Sequence, residues 1–286
     1  MQPVRQVHPM MRNILFPTAW VLLLMGLDLT LFSKRSGEFF SWNIQPPITA
    51  GAIGALYVTG FALILLALQG RAWARLKPVV PAGVVFSALA LAATALHSGK
   101  FNFHSHHPFA VFISWEWLLS YAIIPLLILA ALVPQSRMPG VDPSTGSPPG
   151  WITGTLWVGG AALVVTAAAL FFAPATTGRV WPWALTPLTG RVLSAWSAGF
   201  GVGVLWAAWQ RDRFRAAPFV ALLGFIGLFQ LLNAIRFGDQ VRWGKPAAWI
   251  YVVVLSAAVV AGAAGWAQLR GARAAAPVAA PAPSGA

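Results

Sequence analysis

Long apolar blocks alternate with short polar connections along the whole chain. Eight blocks can be marked, at approximately 14–32, 48–68, 79–97, 109–133, 152–173, 189–209, 217–235 and 247–267. Each is about 20 residues long, the length of helix that crosses a hydrocarbon core of roughly 30 Å. Backbone groups inside that core must satisfy one another, so each block is expected to be a helix. Barrel strands would instead alternate over about 10 residues, and runs such as Ala52 to Leu68 do not alternate. The pattern predicts an all-α fold, a polytopic transmembrane bundle of about eight helices.

Composition agrees with the pattern. Of 286 residues, 58% are hydrophobic and 9% charged, where a soluble domain carries roughly 25% charged residues. The first block follows Arg5 and Arg12, as a signal peptide would. It ends in Asp28 and Ser33-Lys34-Arg35 with no small-x-small cleavage site, so it reads as an uncleaved first helix.

The blocks fall into two halves that resemble each other. Trp42-Asn-Ile-Gln-Pro-Pro47-Ile-Thr49 precedes the second helix, and Trp181-Pro-Trp183-Ala-Leu-Thr-Pro187-Leu-Thr189 precedes the sixth. A shift of 140, from Pro47 to Pro187, also carries Ala55 onto Ala195, Arg71 onto Arg211 and Pro78 onto Pro218. With small gaps, Pro108-Phe-Ala parallels Pro246-Ala-Ala and Trp20-Val21 parallels Trp157-Val158. The expected organisation is a four-helix repeat over 1–133, a flexible Pro/Gly/Ser-rich connection over 134–151, and a second repeat over 152–270. An Ala/Pro tail over 271–286 has nothing to bury and is expected to be disordered. Four helices per half is an even number, so both halves insert the same way up. They would form two parallel four-helix pseudo-repeats about an axis along the membrane normal.

The net charge of +13 does not point to nucleic acid, because the basic residues sit in the short connections rather than on one face. Arg5, Arg12, Arg71, Arg75, Lys77, Arg137, Arg211, Arg213, Arg215, Arg270 and Arg273 lie on the side of the termini, and the other eight Lys and Arg on the opposite side. This bias predicts that both termini face the cytoplasm. The absence of cysteine excludes disulfides, iron–sulfur ligation and thiol catalysis.

Ionisable residues inside a span are costly and mark pairs or wet cavities. Asp28, His97, Glu116, Arg191 and Arg236 all fall near helix ends on the side away from the termini, and are the candidate ligand-binding residues. Asp28 and Glu116 are expected to pair with Arg191 and Arg236. Arg191 has Gly51 as its counterpart in the first half, so packing symmetry does not require it. The connection from His97 to Pro108 holds four of the five histidines, and His104, His106 and His107 are a weak candidate site for a divalent metal. No cofactor is otherwise predicted, and no catalytic residue is assigned. Of the 15 tryptophans, Trp42, Trp115, Trp117, Trp181, Trp183, Trp243 and Trp249 fall at outer helix ends and Trp73, Trp151, Trp209 and Trp266 at inner ends, as an aromatic belt does. Gly51, Gly54, Gly199, Gly201 and Gly203 are expected to let helix backbones approach.

The stretch from Trp181 through Pro187-Leu-Thr189-Gly-Arg191 resembles a motif in a group of uncharacterised bacterial multi-pass integral membrane proteins. The resemblance implies a protein of the bacterial inner membrane and assigns no activity or site residue. The expected partners are the lipid bilayer and a small ligand or other membrane subunits. The leading expectation is a protein that binds or transports a small ligand through an outward-facing polar vestibule. The alternatives are a membrane-embedded metal-dependent enzyme built on the His-rich loop, and a structural subunit or assembly factor of a membrane complex.

Overall fold

The computed structural model describes residues 3–274, with side chains through Arg270. The expected disordered tail lies outside the described residues from position 275 onward. Among the described residues, eight helices are long and apolar enough to cross a membrane. We label them α1 (Pro9–Leu31), α2 (Pro47–Leu68), α3 (Val79–Leu96), α4 (Pro108–Ser136), α5 (Gly150–Phe172), α6 (Pro187–Trp209), α7 (Arg213–Arg236) and α8 (Pro246–Ala274). Five of the eight open on a proline in the first turn. There the missing N–H is one that no helix could satisfy internally. Side chains cap two of the helices: Thr186 accepts from Thr189 N ahead of α6, which also opens on Pro187, and Asp212 accepts from Phe214 N and Arg215 N ahead of α7.

The helix neighbours fall into matched sets. α1 packs on α2 as α5 packs on α6, and α3 on α4 as α7 on α8. Across the halves, α3 packs on α6 and α2 on α7, while α2 and α6 meet near the middle. Each half therefore completes its packing with a helix of the other. The connections match in detail too. Among the described residues, Arg71 and Arg211 are the non-glycine residues with positive φ, at 54° and 47°. Each closes the turn after its helix, accepting strain at the same place. Asn102 N donates to Ser41 O at 2.7 Å, and Arg242 N to Pro182 O at 2.8 Å. A single 3-10 turn follows α3 at Ser98–Lys100 and α7 at Gly238–Gln240.

Close backbone approach explains three of the five expected glycines, whereas Gly51 and Gly203 make room for the Asn233 and Phe219 side chains. A Cβ on Gly54 would lie 2.9 Å from Gly26 O, on Gly201 3.1 Å from Gly160 O, and on Gly199 2.7 Å from Ala82 O. Without hydrophobic drive between helices in lipid, such contacts supply the packing energy.

At the end carrying the termini, the connection 137–149 is pinned at several points, although its composition suggested a loose link. Val141 exchanges backbone bonds with Pro3 and Arg5 at 3.0 and 2.9 Å. Lys77 forms an ion pair with Asp142. The buried Asp212 carboxylate accepts from Ser144 Oγ and Thr145 N, both at 2.8 Å.

The tryptophan belt needs a correction. Trp115, Trp243 and Trp249 are exposed, but Trp42, Trp117 and Trp183 at the same end are buried, at 1–2% exposure. The connections ahead of α2 and α6 fold back into the bundle mouth and carry Trp42 and Trp183 with them, while Trp117 turns inward from the first half of α4. Trp42 packs on Phe40, Phe101 and Trp117. Trp183 packs on Tyr251 and donates its Nε1 proton to Thr49 Oγ1 at 2.9 Å.

Candidate functional site

The five ionisable candidates lie at the bundle end opposite the termini, and they do not form the carboxylate–guanidinium pairs expected from the sequence. Among the described residues the salt bridges are Arg35–Glu38 and Lys77–Asp142. Arg191 instead bonds His97, with Nη1 to Nε2 at 2.8 Å. A guanidinium can only donate. His97 Nε2 must therefore accept, which fixes the imidazole as neutral with its proton on Nδ1.

The local sequence explains why these two meet. His97 is the C-cap of α3, and Arg191 lies in the second turn of α6. α3 and α6 pack along their length. The same place in the α2–α7 pair is filled differently. A Cβ on Gly51 would collide with Asn233 Oδ1 and lie 3.1 Å from Phe237 Cε2. At a shift of 140, Gly51 matches Arg191, Phe237 matches His97 and Asn233 matches Ala93. The small alanine leaves room for a long side chain where the amide of Asn233 leaves none.

Burial, then the Arg191 guanidinium, then Lys100 hold His97 below the usual imidazole range. Arg191 is half-buried and its guanidinium lies 5.9 Å from the Phe171 ring. Its Nε is buried without a hydrogen-bond partner. The result is a cation held between an aromatic ring and a neutral base, with donors unspent.

The other candidates scatter. Arg236 is exposed and donates to Thr30 O at 2.5 Å, an open carbonyl in the last turn of α1. That carbonyl, rather than the Asp28 carboxylate, is its partner. Asp28 is half-buried and its carboxylate has no hydrogen bond or ion pair among the described residues. Glu116 accepts from Ser120 Oγ at 2.5 Å, one turn along α4. His104, His106 and His107 are exposed, and no group of three or more His, Asp or Glu able to hold a metal occurs among the described residues.

Sequence reasoning missed two features. The α2–α7 contact is sealed by side-chain amides: Gln230 Nε2 donates to Ala52 O at 2.9 Å and Asn233 Nδ2 to Ile48 O at 3.0 Å. Second, an apolar cavity lies between the first half and α6, and its lining carries no charged residue to betray it.

Taken together, the fold and this polar end define a multi-pass helical membrane protein. Comparison with known protein families, curated proteins and solved structures finds no match to the chain.

Proposed function

We propose that the protein binds or transports a small anionic ligand at the polar end of α3 and α6, with Arg191 as the anchoring cation. The observation that carries this reading is a half-buried guanidinium that has no carboxylate partner and bonds a neutral imidazole. A cation at that depth calls for an anion. Phosphate or carboxylate oxygens suit a guanidinium, which meets them with two parallel bonds. Ligand entry would displace His97 from Nη1 and bring the anion onto the Nη1–Nη2 edge of the guanidinium. The matched neighbours of the two halves, and the shared turns at Arg71 and Arg211, support reading the bundle as two parallel four-helix repeats. The positive bias of the terminal side supports an orientation with both termini in the cytoplasm, which makes the Arg191 site an outward-facing vestibule in a bacterial inner membrane.

The test is thermal unfolding of the full chain, first in non-ionic detergent titrated with inorganic phosphate, then in nanodiscs with and without phosphatidylglycerol. Stabilisation by phosphate in detergent marks a soluble anion, and stabilisation only by the anionic lipid marks a headgroup. Either response should vanish in Arg191→Gln and survive in Arg236→Gln. Equal responses in both variants, or none in the wild type, would overturn the reading.

A further inference from the structure

A cavity of about 90 Å³ lies between the first half and α6. It is walled by α1, α2, α3, α4 and the middle of α6, through residues such as Leu22, Val80, Phe86, Tyr121, Ile128 and Trp196. No charged residue lines it. Its hydroxyls are mostly spent. Thr18 Oγ1 donates to Ile14 O at 2.7 Å, Ser120 Oγ to Glu116 at 2.5 Å, and Tyr121 pairs with the Tyr57 hydroxyl at 2.6 Å. Ser87 alone among these lacks a partner within the described residues. Ordered water needs about 2–4 polar partners, so the space is a dry one.

The space is not a necessity of the fold, because the second half fills the matching place. Gly83 lines the cavity, and a Cβ built on it meets nothing within 4 Å. Its match at a shift of 140 is Leu223, whose side chain lies 3.0 Å from a Cβ built on Gly159. Farther along, Gly224 and Gly262 bring α7 and α8 into backbone contact. Their counterparts in α3 and α4 are Val84 and Ile124, aligning α4 with α8 on Pro108 and Pro246. The first pair thus carries branched side chains where glycines close the second. The half-exposed lining residues Thr18, Gly83 and Ile124 lie within the spans of α1, α3 and α4, so the mouth meets hydrocarbon rather than water.

We infer that this cavity is a binding site for a single hydrocarbon chain of a membrane lipid. The lining from Val79 to Ser87 and from Ser120 to Ile128 runs eight residues along each helix, or about 12 Å at 1.5 Å per residue. That length takes an extended chain end-on and leaves the polar headgroup outside. The site is independent of the anion reading at Arg191, and either can fail without the other.

The experiment reconstitutes the full chain in vesicles of phosphatidylethanolamine and phosphatidylglycerol doped with a phospholipid bearing a diazirine near its acyl terminus. Adducts are mapped by mass spectrometry after illumination. Labelling should be several-fold higher on the segments of Gly83 and Ile128 than on exposed outer positions such as Leu24 and Val254. Gly83→Phe, which fills the open space, should reduce cavity labelling several-fold and leave the outer positions unchanged. If that variant does not fold, Ile128→Phe reads the same loss from the opposite wall. Cavity labelling no higher than that of the outer positions in the wild type would overturn the inference without recourse to any variant. Labelling unchanged in a folded filling variant would overturn it as well.

Discussion

In the middle of α7 and α8 the two backbones touch, and a Cβ on Gly262 would lie 2.5 Å from Gly224 Cα. At the matching level of α3 and α4, Val84 faces the place of Gly224 and Ile124 that of Gly262, and a cavity opens beside them. The helices, their order and their neighbours are alike, yet one pair is shut and the other parted. The same contrast recurs at the α2–α7 and α3–α6 contacts. The first carries the amides of Gln230 and Asn233, the second Ala90, Ala93 and the Arg191–His97 bond. Two pairs of contacts with matched neighbours are thus closed in one case and left open in the other where a handful of small and large side chains differ.

Glycine substitution should break this contrast most sharply. Gly262→Leu must push α8 off the backbone of Gly224, whose N and Cα would lie 2.6 and 2.5 Å from the new Cβ. Overpacking of this kind costs about 1–3 kcal/mol, and backbone that cannot swing aside puts the expected loss at the upper end. Gly83→Leu points into open space and exchanges a poor helix former for a good one, a gain of up to about 1 kcal/mol. Unfolding of the purified chain in detergent separates the two. Equal losses would mean that the α3–α4 space is not open in the membrane.

The amide seal gives a smaller effect. Gln230→Leu and Asn233→Leu each remove a bond to a backbone carbonyl of α2. Interhelical hydrogen bonds in membranes average about 0.6 kcal/mol and reach about 1.7. Gln230 also accepts from the Tyr251 hydroxyl at 2.9 Å, so its loss orphans a second group and should be the larger of the two. If both variants unfold like the wild type, the seal is made by packing alone and the two interfaces differ less than their bonds suggest.

Much of the frame was legible in the sequence. Block length gave the eight spans, since only a helix satisfies its own backbone in hydrocarbon. Pro47, Pro108, Pro187 and Pro246, which open helices, stand within two residues of the marked block starts, where the missing N–H has no intrahelical partner to lose. The glycines of α6 were read correctly as points of approach. The site was harder. Asp28, Glu116, Arg191 and Arg236 share a depth, and depth alone suggested mutual pairing. Pairing depends on azimuth and on which helices are neighbours, and the cross-half contacts of α3 with α6 and α2 with α7 have no local signature. The cavity was illegible for the same reason: an apolar wall of a void and an apolar wall of a core are written with the same residues. Burial of Trp42 and Trp183 likewise depends on a connection folding inward, not on its composition.

The mildest test concerns acid, and it uses the mismatch between His97 and its counterpart Phe237. Only the first half carries a titratable group at this place, so only the α3–α6 contact should respond. The ordinary imidazole value is about 6.5, and burial, Arg191 and Lys100 lower it in the fold. A base with a lowered folded value is bound by protons more readily when unfolded, so stability is retained above about 6.5 and falls as the pH drops below it. Protonation would also turn the acceptor Nε2 into a donor facing the Arg191 guanidinium, breaking the 2.8 Å bond. Melting curves of the wild type should therefore lose ground to His97→Gln between pH 6.5 and 5, since the amide oxygen of glutamine accepts at any pH. Arg191→Gln should remove only part of the acid sensitivity, because burial is the larger cause and persists without the guanidinium. Parallel pH profiles for wild type and His97→Gln would show that His97 is solvated like a free imidazole, and the α3–α6 contact would then be as indifferent to pH as the α2–α7 contact opposite.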